Sequence, residues 1–190
     1  MPLPHIQNSE AGRNKYDPAH KSIFEVTFTL PDAIRSEFAQ DEAVITEHVL
    51  TISGLDNLYQ GVEAGQQKYM GTSRSFLNPT VGDTFVEPTV KFSLNLRNGT
   101  DNYIYKLFSA WKKLGYDMST GERHLKADYC ADWMRLRVAN RVGDVYHDIV
   151  MKDVMLVGAV NLSGDYDYES NDPLELEVKF RSDWWTENNA

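Results

Sequence analysis

The histidines of this sequence do not combine into a recognisable catalytic or metal-binding motif. None of the five lies within four residues of another histidine or of Cys130, the single cysteine. A zinc site would therefore need ligands brought together from separate elements. His147 and Asp148 resemble a general base beside its orienting carboxylate, but adjacent residues on a strand point to opposite faces. We expect both to be surface polar residues.

Motifs for nucleophilic catalysis, nucleotide binding and calcium binding are also missing. Ser53 and Ser163 each precede a glycine without the flanks of a G-x-S-x-G elbow, and no glycine-rich phosphate loop occurs. The acidic run at 165–172 has Ser170 where an EF-hand needs glycine and Leu176 where it needs glutamate. We therefore predict no enzyme, with no catalytic, cofactor-binding or metal-binding residues and no cofactor, and interpret the run as an acidic loop.

The charge balance limits the partners. Asp and Glu number 28 against 19 Lys and Arg, giving a formal net charge of −9. Because phosphate affinity depends on clustered Lys and Arg, general binding of nucleic acid or an anionic membrane is disfavoured. Arg135, Arg137 and Arg141 share a strand face and could contact phosphate, but a face that is solvated or ion-paired between subunits fits this charge better. The longest apolar stretch, Val154–Val160, is too short to span a bilayer.

The elements that must position these residues are mostly strands. Alternation of apolar and polar residues predicts strands at 22–30, 44–53, 86–97, 133–142, 145–162 and 174–184. We expect a hairpin turn at Gly143-Asp144 and a β-bulge at Lys152-Asp153, where the alternation is interrupted. Of Trp184 and Trp185 at the last strand end, one indole is expected in the core and the other on a rim or partner surface.

One amphipathic helix is predicted between the third and fourth strands. Its N-cap is Thr100 or Asp101, and Gly115 ends it. Its apolar residues recur every three or four positions, at Ile104, Leu107, Phe108, Trp111 and Leu114. The fold class is therefore mainly β: an antiparallel β-sandwich or barrel with one packed amphipathic α-helix.

The domain organisation predicted from composition has two parts. Residues 1–19 are polar, contain three prolines and form an N-terminal arm, while 20–190 form a single β domain. Within this domain, about 57–86 is a long loop rich in Gly, Ser, Asn and Pro. Its aromatic residues favour docking against a neighbour rather than exposure to water.

The C-terminal part of the sequence, 155–185, resembles the C-terminal half of the tail tube proteins of contractile-tailed phages. The shared pattern is a strand, a short turn, an acidic and aromatic Asp-Tyr-Asp segment, and a strand that ends in tryptophan. The run at 22–30 is similar to the first strand of this family, and 102–114 to its helix. Tubes of related contractile injection systems share the family.

This resemblance implies a structural virion protein. Homohexameric rings would stack into the hollow inner tail tube through which phage DNA is ejected into the host. The implied partners are further copies of the chain, the tail sheath protein, and baseplate and tape-measure proteins, with DNA only as passing cargo. The implied location is the virion tail, assembled in the host cytoplasm from a late protein. The acidic charge suits a conduit, because a lumen that repels phosphate lets DNA slide.

Two further functions remain open. One is a baseplate protein of the same fold that initiates or terminates the tube. The other, from a different class, is a carbohydrate-binding β-sandwich module, which would also explain exposed aromatics and an acidic loop.

The tube interpretation assigns roles to two sets of residues. The arm and the long loop are candidates for contacts between rings, and a polar strand face should line the lumen or form the ring interface. The candidate inter-ring contacts are Tyr16, Tyr59, Tyr69, Met70, Phe76 and Phe85. The candidate faces are Thr89, Lys91, Ser93, Asn95 and Arg97 on one strand, and Glu175, Glu177, Lys179 and Arg181 on another.

Overall fold

The computed structural model describes residues 22–56, 58, 64–69, 72–77, 85–163 and 172–188. Its main feature is a nearly closed, barrel-like sheet of six strands, which confirms the predicted fold class. The elements in chain order are β1 Phe24–Phe28, α1 Asp32–Phe38, α2 Asp41–Thr46, β2 Val49–Ser53, β3 Ala64–Tyr69, β4 Thr72–Leu77, β5 Thr89–Ser93, α3 Tyr103–Gly115, α4 Lys126–Tyr129, β6 Ala131–Ala139, β7 Val145–Ser163 and β8 Glu175–Glu187.

The six-stranded sheet has the order β1-β6-β7-β8-β5-β2, and every neighbouring pair is antiparallel. Strands β3 and β4 form a separate two-stranded hairpin. This hairpin lies within the segment 57–86 that we expected to be a loop. Both strands are rich in polar residues and lack a clear apolar alternation, so the sequence carried no strand signal there.

Helix α3 packs its apolar stripe into the core, as predicted. The rings of Phe92 and Phe108 are 4.9 Å apart and those of Trp111 and Phe180 are 5.6 Å apart. Phe28 joins the same aromatic cluster from β1, with its ring 6.2 Å from that of Phe108. Burial of this much aromatic surface ties the helix to strands from both halves of the sheet.

The ends of α3 differ slightly from the prediction. Asn102 is the N-cap, because its side chain accepts a hydrogen bond of 3.2 Å from the backbone N–H of Tyr105. Thr100 and Asp101 precede this position, so the predicted caps were wrong. Gly115 is the last helical residue, as expected.

The predicted strand at 44–53 was wrong in its first half. Val44 and its two neighbours belong to α2, and the strand begins only at Val49. These β-branched residues favour strands locally, but Ile45 is fully buried and Asp41 at the helix start is paired with Arg97. Tertiary contacts therefore override the local preference.

At Lys152-Asp153, where we expected a β-bulge, the side chains that point into the core change from one set of alternate positions to the other. Residues buried in the core are three apart rather than two at this level, at Met151 and Val154 in β7 and at Ala131 and Met134 in β6. The register of the two strands is the same on either side of Asp153, although Asp153 itself has a φ of 52° and is not among the paired residues. Since both strands change face together, no extra residue is needed.

A shift of register in β7 lies further along. The register of β7 against β8 shifts between Val157 and Asn161, around Gly158, whose φ is 80°. The predicted β6–β7 hairpin turn is confirmed, since the Gly143 N–H donates to the Asn140 carbonyl at 3.1 Å. Among the described residues, no helix is long and apolar enough to cross a membrane.

Candidate functional site

The two candidate polar faces are one continuous surface. Strands β5 and β8 are hydrogen-bonded neighbours, with Lys91 opposite Glu177 and Ser93 opposite Glu175. Paired residues of an antiparallel sheet project to the same side, so the two rows lie together on the outside of the barrel. We call this surface the outer β5–β8 face; it consists of Thr89, Lys91, Ser93, Glu175, Glu177, Lys179 and Arg181.

One cation of this face lies between two carboxylates. The Lys91 ammonium is 3.8 Å from the carboxylate of Glu175 and 3.8 Å from that of Glu177. Both partners come from β8, the neighbouring strand. The positive charge of β5 is therefore compensated by the strand beside it.

The other two cations of the face share one carboxylate. Lys179 Nζ is 2.5 Å from Glu87 Oε2, and Arg181 Nη1 is 3.5 Å from Glu87 Oε1. The hydrogen bond from Lys179 lowers the pKa of the Glu87 carboxyl, so this partner stays ionised. Every Lys and Arg of the outer β5–β8 face thus has a carboxylate within 4 Å.

Asn95 and Arg97 do not belong to this face. Both follow the end of β5, and the Asn95 amide lies 2.9 Å from His48 Nδ1. The Arg97 guanidinium pairs with Asp41 and lies 4.3 Å from the ring centroid of Tyr103. These side chains connect α2 to the first turn of α3, so the structure places them in a packing role.

Of the predicted inter-ring contacts, Phe85 is the one whose side chain the structure describes. Its ring lies 3.9 Å below the Arg181 guanidinium, at the margin of the outer β5–β8 face. Tyr69 is the last residue of β3, and Phe76 is the fifth of β4, opposite Gly65. Tyr16, Tyr59 and Met70 lie outside the described residues.

The outer surface of β6 and β7 also carries paired charges. Arg135 makes two hydrogen bonds to Asp148, from Nε at 2.7 Å and from Nη2 at 2.5 Å. Arg137 lies 3.5 Å from Glu25 on β1. Arg135 lowers the pKa of the Asp148 carboxyl, chiefly through these hydrogen bonds. Arg135 and Arg137 are therefore ion-paired within the subunit, whereas we expected ion pairs between subunits or a solvated face.

His147 and Asp148 do not form a catalytic pair, and the expectation that both lie at the surface was wrong for Asp148, which is buried. His147 Nδ1 is 2.7 Å from Glu187 Oε1, whereas the Asp148 carboxylate binds Arg135. Among the described residues, no three His, Cys, Asp or Glu side chains are grouped so as to hold a metal ion.

The tryptophan pair divides as predicted. Trp185 packs against the core, whereas Trp184 is 46% exposed and its indole N–H donates to Asp153 Oδ2 at 3.2 Å. The change of face at this level of the sheet leaves Trp184 on the exposed side of β8, opposite Lys152. Such a residue is available to a partner surface.

A second charged surface follows the C-terminal end of α3, and the sequence analysis did not single it out. We call it the helix–loop surface; it consists of Lys112, Lys113, Tyr116, Met118 and Arg123, all exposed. Within the described ranges, its three cations have no ion-pair partner. The signal available in the sequence was that 101–130 carries five Lys and Arg against four Asp and Glu, in a chain of net charge −9.

Comparison with known proteins supports the fold. No protein-family model matches the sequence, and no curated protein matches it either. Among solved structures, a chain of the anti-feeding prophage cap, a tube-terminating cap, is 14% identical with a TM-score of 0.58, over 92% of this chain and 93% of that one.

Other similar structures come from the same kind of assembly. A chain of the sheath–tube complex of an extracellular contractile injection system is 13% identical, with a TM-score of 0.56 over 96% of this chain and 98% of that one. A chain of the sheath/tube terminator of an extracellular contractile injection system is 12% identical, with a TM-score of 0.53 over 92% of this chain and 99% of that one. The chain therefore has the tail-tube-like fold found in contractile injection systems, and the resemblance drawn from the sequence is confirmed at the level of fold.

Proposed function

We propose that this protein is a structural subunit of the inner tube of a contractile phage tail or injection system. The observation that carries the proposal is the fold match over more than nine-tenths of both chains. The same fold occurs in the sixfold-symmetrised baseplate of the anti-feeding prophage, at a TM-score of 0.52, which supports assembly as hexameric rings. Stacked rings would form a hollow tube, with sheath, baseplate and tape-measure proteins as partners.

We assign the outer β5–β8 face to the lumen of this tube. Its cations are compensated by Glu87, Glu175 and Glu177, and its remaining side chains are hydroxyls. A surface without uncompensated Lys or Arg offers DNA no sites for counterion release, so the polymer can pass without being held. This property suits a conduit better than a nucleic-acid binding site.

Negative-stain electron microscopy of the purified protein tests the tube function. We expect hollow rings or tubes with sixfold symmetry in end views. A monomer that binds glycans in an array screen would contradict the proposal and would favour the carbohydrate-binding alternative.

A tube-terminating role is the second candidate, because similar structures include a tube-terminating cap and a sheath/tube terminator. The two roles differ in whether assembly continues. A tube subunit should elongate preformed tubes of the same protein in proportion to the amount added. A terminator should remain as single rings, and its addition to tubes of the same system should stop their growth at a fixed length.

Replacement of Glu87 tests the lumen assignment. Glu87→Gln removes the carboxylate shared by Lys179 and Arg181, so both cations become available to phosphate. We expect severalfold tighter, salt-sensitive retention of DNA, measured by fluorescence anisotropy of labelled DNA with assembled protein. Glu37→Gln is the matched control, because Glu37 is an exposed carboxylate on α1. Equal DNA retention by the two variants would contradict the lumen assignment and leave the tube function standing.

A further inference from the structure

The cations of the helix–loop surface are unlike those of the sheet. Within the described residues, Lys112, Lys113 and Arg123 lack the carboxylate partners that Lys91, Lys179 and Arg181 have. Lys112 and Lys113 occupy the last turn of α3, where positive charge complements the helix dipole. That effect explains positive charge at the helix end, but it does not involve Arg123, which lies eight residues beyond the helix.

Exposed apolar groups accompany these cations. Met118 is 86% exposed and Tyr116 is 45% exposed. The Arg123 guanidinium lies 5.4 Å from the centroid of the Tyr116 ring. Two carboxylates lie within this group. Asp117 accepts hydrogen bonds from the backbone N–H and hydroxyl of Ser119, which lower its pKa together with a smaller contribution from Lys113. Glu122 accepts a hydrogen bond from the Thr120 hydroxyl at 3.4 Å. Among the described residues, the surface therefore combines three cations that have no carboxylate within 4 Å with exposed apolar side chains, and it carries one more positive than negative charge. This combination fits an acidic and aromatic partner.

The chain itself contains a segment of that chemistry. Residues 164–171 read Gly-Asp-Tyr-Asp-Tyr-Glu-Ser-Asn, with three carboxylates, two tyrosines and no Lys or Arg. The segment connects β7 to β8, and the residues that flank it are at one end of the sheet, where Ser163 pairs with Glu175.

The helix–loop surface lies far from that end. Trp111 in the last part of α3 donates its indole N–H to the carbonyl of Tyr129 in α4 at 2.8 Å. Lys126, also in α4, pairs with Asp183. Asp183 is eight residues along β8 from Glu175, which corresponds to about 26 Å of strand. A connection from Ser163 to Asp172 has a contour of about 33 Å and can reach outward only about 16 Å before it must return. The acidic segment therefore cannot cover this surface of its own chain.

We propose that Lys112, Lys113 and Arg123 bind the acidic segment, Asp165 to Glu169, of a second copy of the protein stacked head to tail. This contact rests on the proposed function, which requires rings to stack. A heterologous contact between opposite ends of identical subunits propagates without limit, as a tube requires. The carboxylates meet the three cations, and the tyrosines of the segment pack on Met118 and Tyr116.

A peptide experiment tests this contact without requiring a tube. The probe is a fluorescently labelled peptide of residues 163–173, titrated with the full-length protein and followed by anisotropy. We expect salt-sensitive binding that is at least about tenfold weaker in Lys112→Glu/Lys113→Glu. Arg141→Glu/Lys152→Glu is the matched control: it changes the charge equally, at two cations elsewhere without an ion-pair partner in the described ranges. Equal peptide binding by both double variants would overturn the proposal, as would no peptide binding by the wild type.

An assembly experiment tests the same contact in the full chain. Lys112→Glu/Lys113→Glu should leave single rings but reduce tube length, and Asp165→Lys/Asp167→Lys should do the same. Combining the four changes should restore tubes, because opposite charges face each other again. Normal tubes from either double variant would overturn the contact while the tube function stands. Peptide binding by a protein that forms no rings would support the contact and contradict the tube function.

Circular dichroism shows whether each variant is folded. If the glutamate variant is unfolded, Lys112→Gln/Lys113→Gln replaces it and should show the same direction of effect on peptide binding. Binding of labelled DNA in place of the peptide, lost in the same variant, would overturn the proposal in favour of a nucleic-acid site.

Discussion

The outer β5–β8 face and the helix–loop surface both expose lysine and arginine, but they compensate these charges differently. On the sheet, pairing of neighbouring strands brings acidic residues of β8 beside Lys91. On the helix, Lys112 has Phe108, Ser109, Gly115 and Tyr116 three and four positions away, so its own helix offers no carboxylate. The comparison shows that strand register places carboxylates beside the cations of the sheet, whereas among the described residues no carboxylate lies within 4 Å of the cations at the helix end.

The largest difference in stability is expected between substitutions of two glycines. Gly54 lies beside the outer β5–β8 face, and Gly121 lies beside the helix–loop surface. Gly54 has a φ of 77°, and a Cβ there would collide with the carbonyl oxygen of Glu87. Gly121 has a φ of 75° and nothing within 4 Å of an added Cβ. We expect Gly54→Ala to lower the free energy of unfolding by about 2–4 kcal/mol and Gly121→Ala by about 1 kcal/mol.

Urea denaturation of the two glycine variants measures this difference. Similar losses of stability in the two variants would show that the backbone around Gly121 is as tightly packed as the backbone around Gly54. The distinction between a rigid, internally compensated face and an open surface would then be wrong.

A smaller effect is expected from the paired charge on β7. Asp148→Asn leaves Arg135, which is partly buried, without its anionic partner. We expect a loss of about 1–3 kcal/mol in the free energy of unfolding. Asp32→Asn breaks the more exposed pair with Arg35 and is the control, with an expected loss below about 1 kcal/mol.

The same variant should change the pH dependence of stability. Because Arg135 lowers the folded-state pKa of Asp148, the ionised carboxylate stabilises the protein above about pH 4. This stabilisation is lost as the pH falls through the lowered folded pKa. Wild-type stability should therefore decrease more than that of Asp148→Asn between about pH 5 and pH 3. Parallel pH profiles from denaturant unfolding would contradict this role.

The smallest effect is expected on the helix–loop surface. Lys112→Gln/Lys113→Gln removes two charges that complement the helix dipole but breaks no ion pair within the described residues. We expect a loss of about 0.5–1 kcal/mol in the free energy of unfolding. Thermal unfolding followed by circular dichroism measures it. A loss as large as that of Asp148→Asn would assign these lysines to the stability of the subunit and weaken the comparison.

Prediction from sequence succeeded where periodicity was strong and failed where it was absent. The apolar stripe of α3 and the alternation of β8 were correct because each buries one face against the core. Helix α1 and the β3–β4 hairpin were missed, since α1 is only seven residues long and the hairpin has little apolar alternation. Short or polar elements are stabilised by contacts that a local pattern does not contain.

For the candidate site, the sequence analysis named most residues of the outer β5–β8 face but not their arrangement. Glu175, Glu177 and Lys91 were assigned to alternative faces, and the structure joins them because β5 pairs with β8. Arg97 was assigned to the same row as Lys91, but the chain leaves the strand after Ser93 and Arg97 turns to Asp41. Glu87, the partner of two cations, lies within the predicted strand at 86–97 but was not among the candidate residues.

The sequence by itself determined the mainly β class, the long amphipathic helix α3 and the acidic charge, because burial periodicity and composition are local or additive properties. Only the tertiary structure decided which polar strand lies beside which, since β5 and β8 are separated by more than 80 residues along the chain. It also decided which cations are compensated. Charge compensation depends on distances of a few ångströms between groups, and such distances are set by strand pairing rather than by position in the sequence.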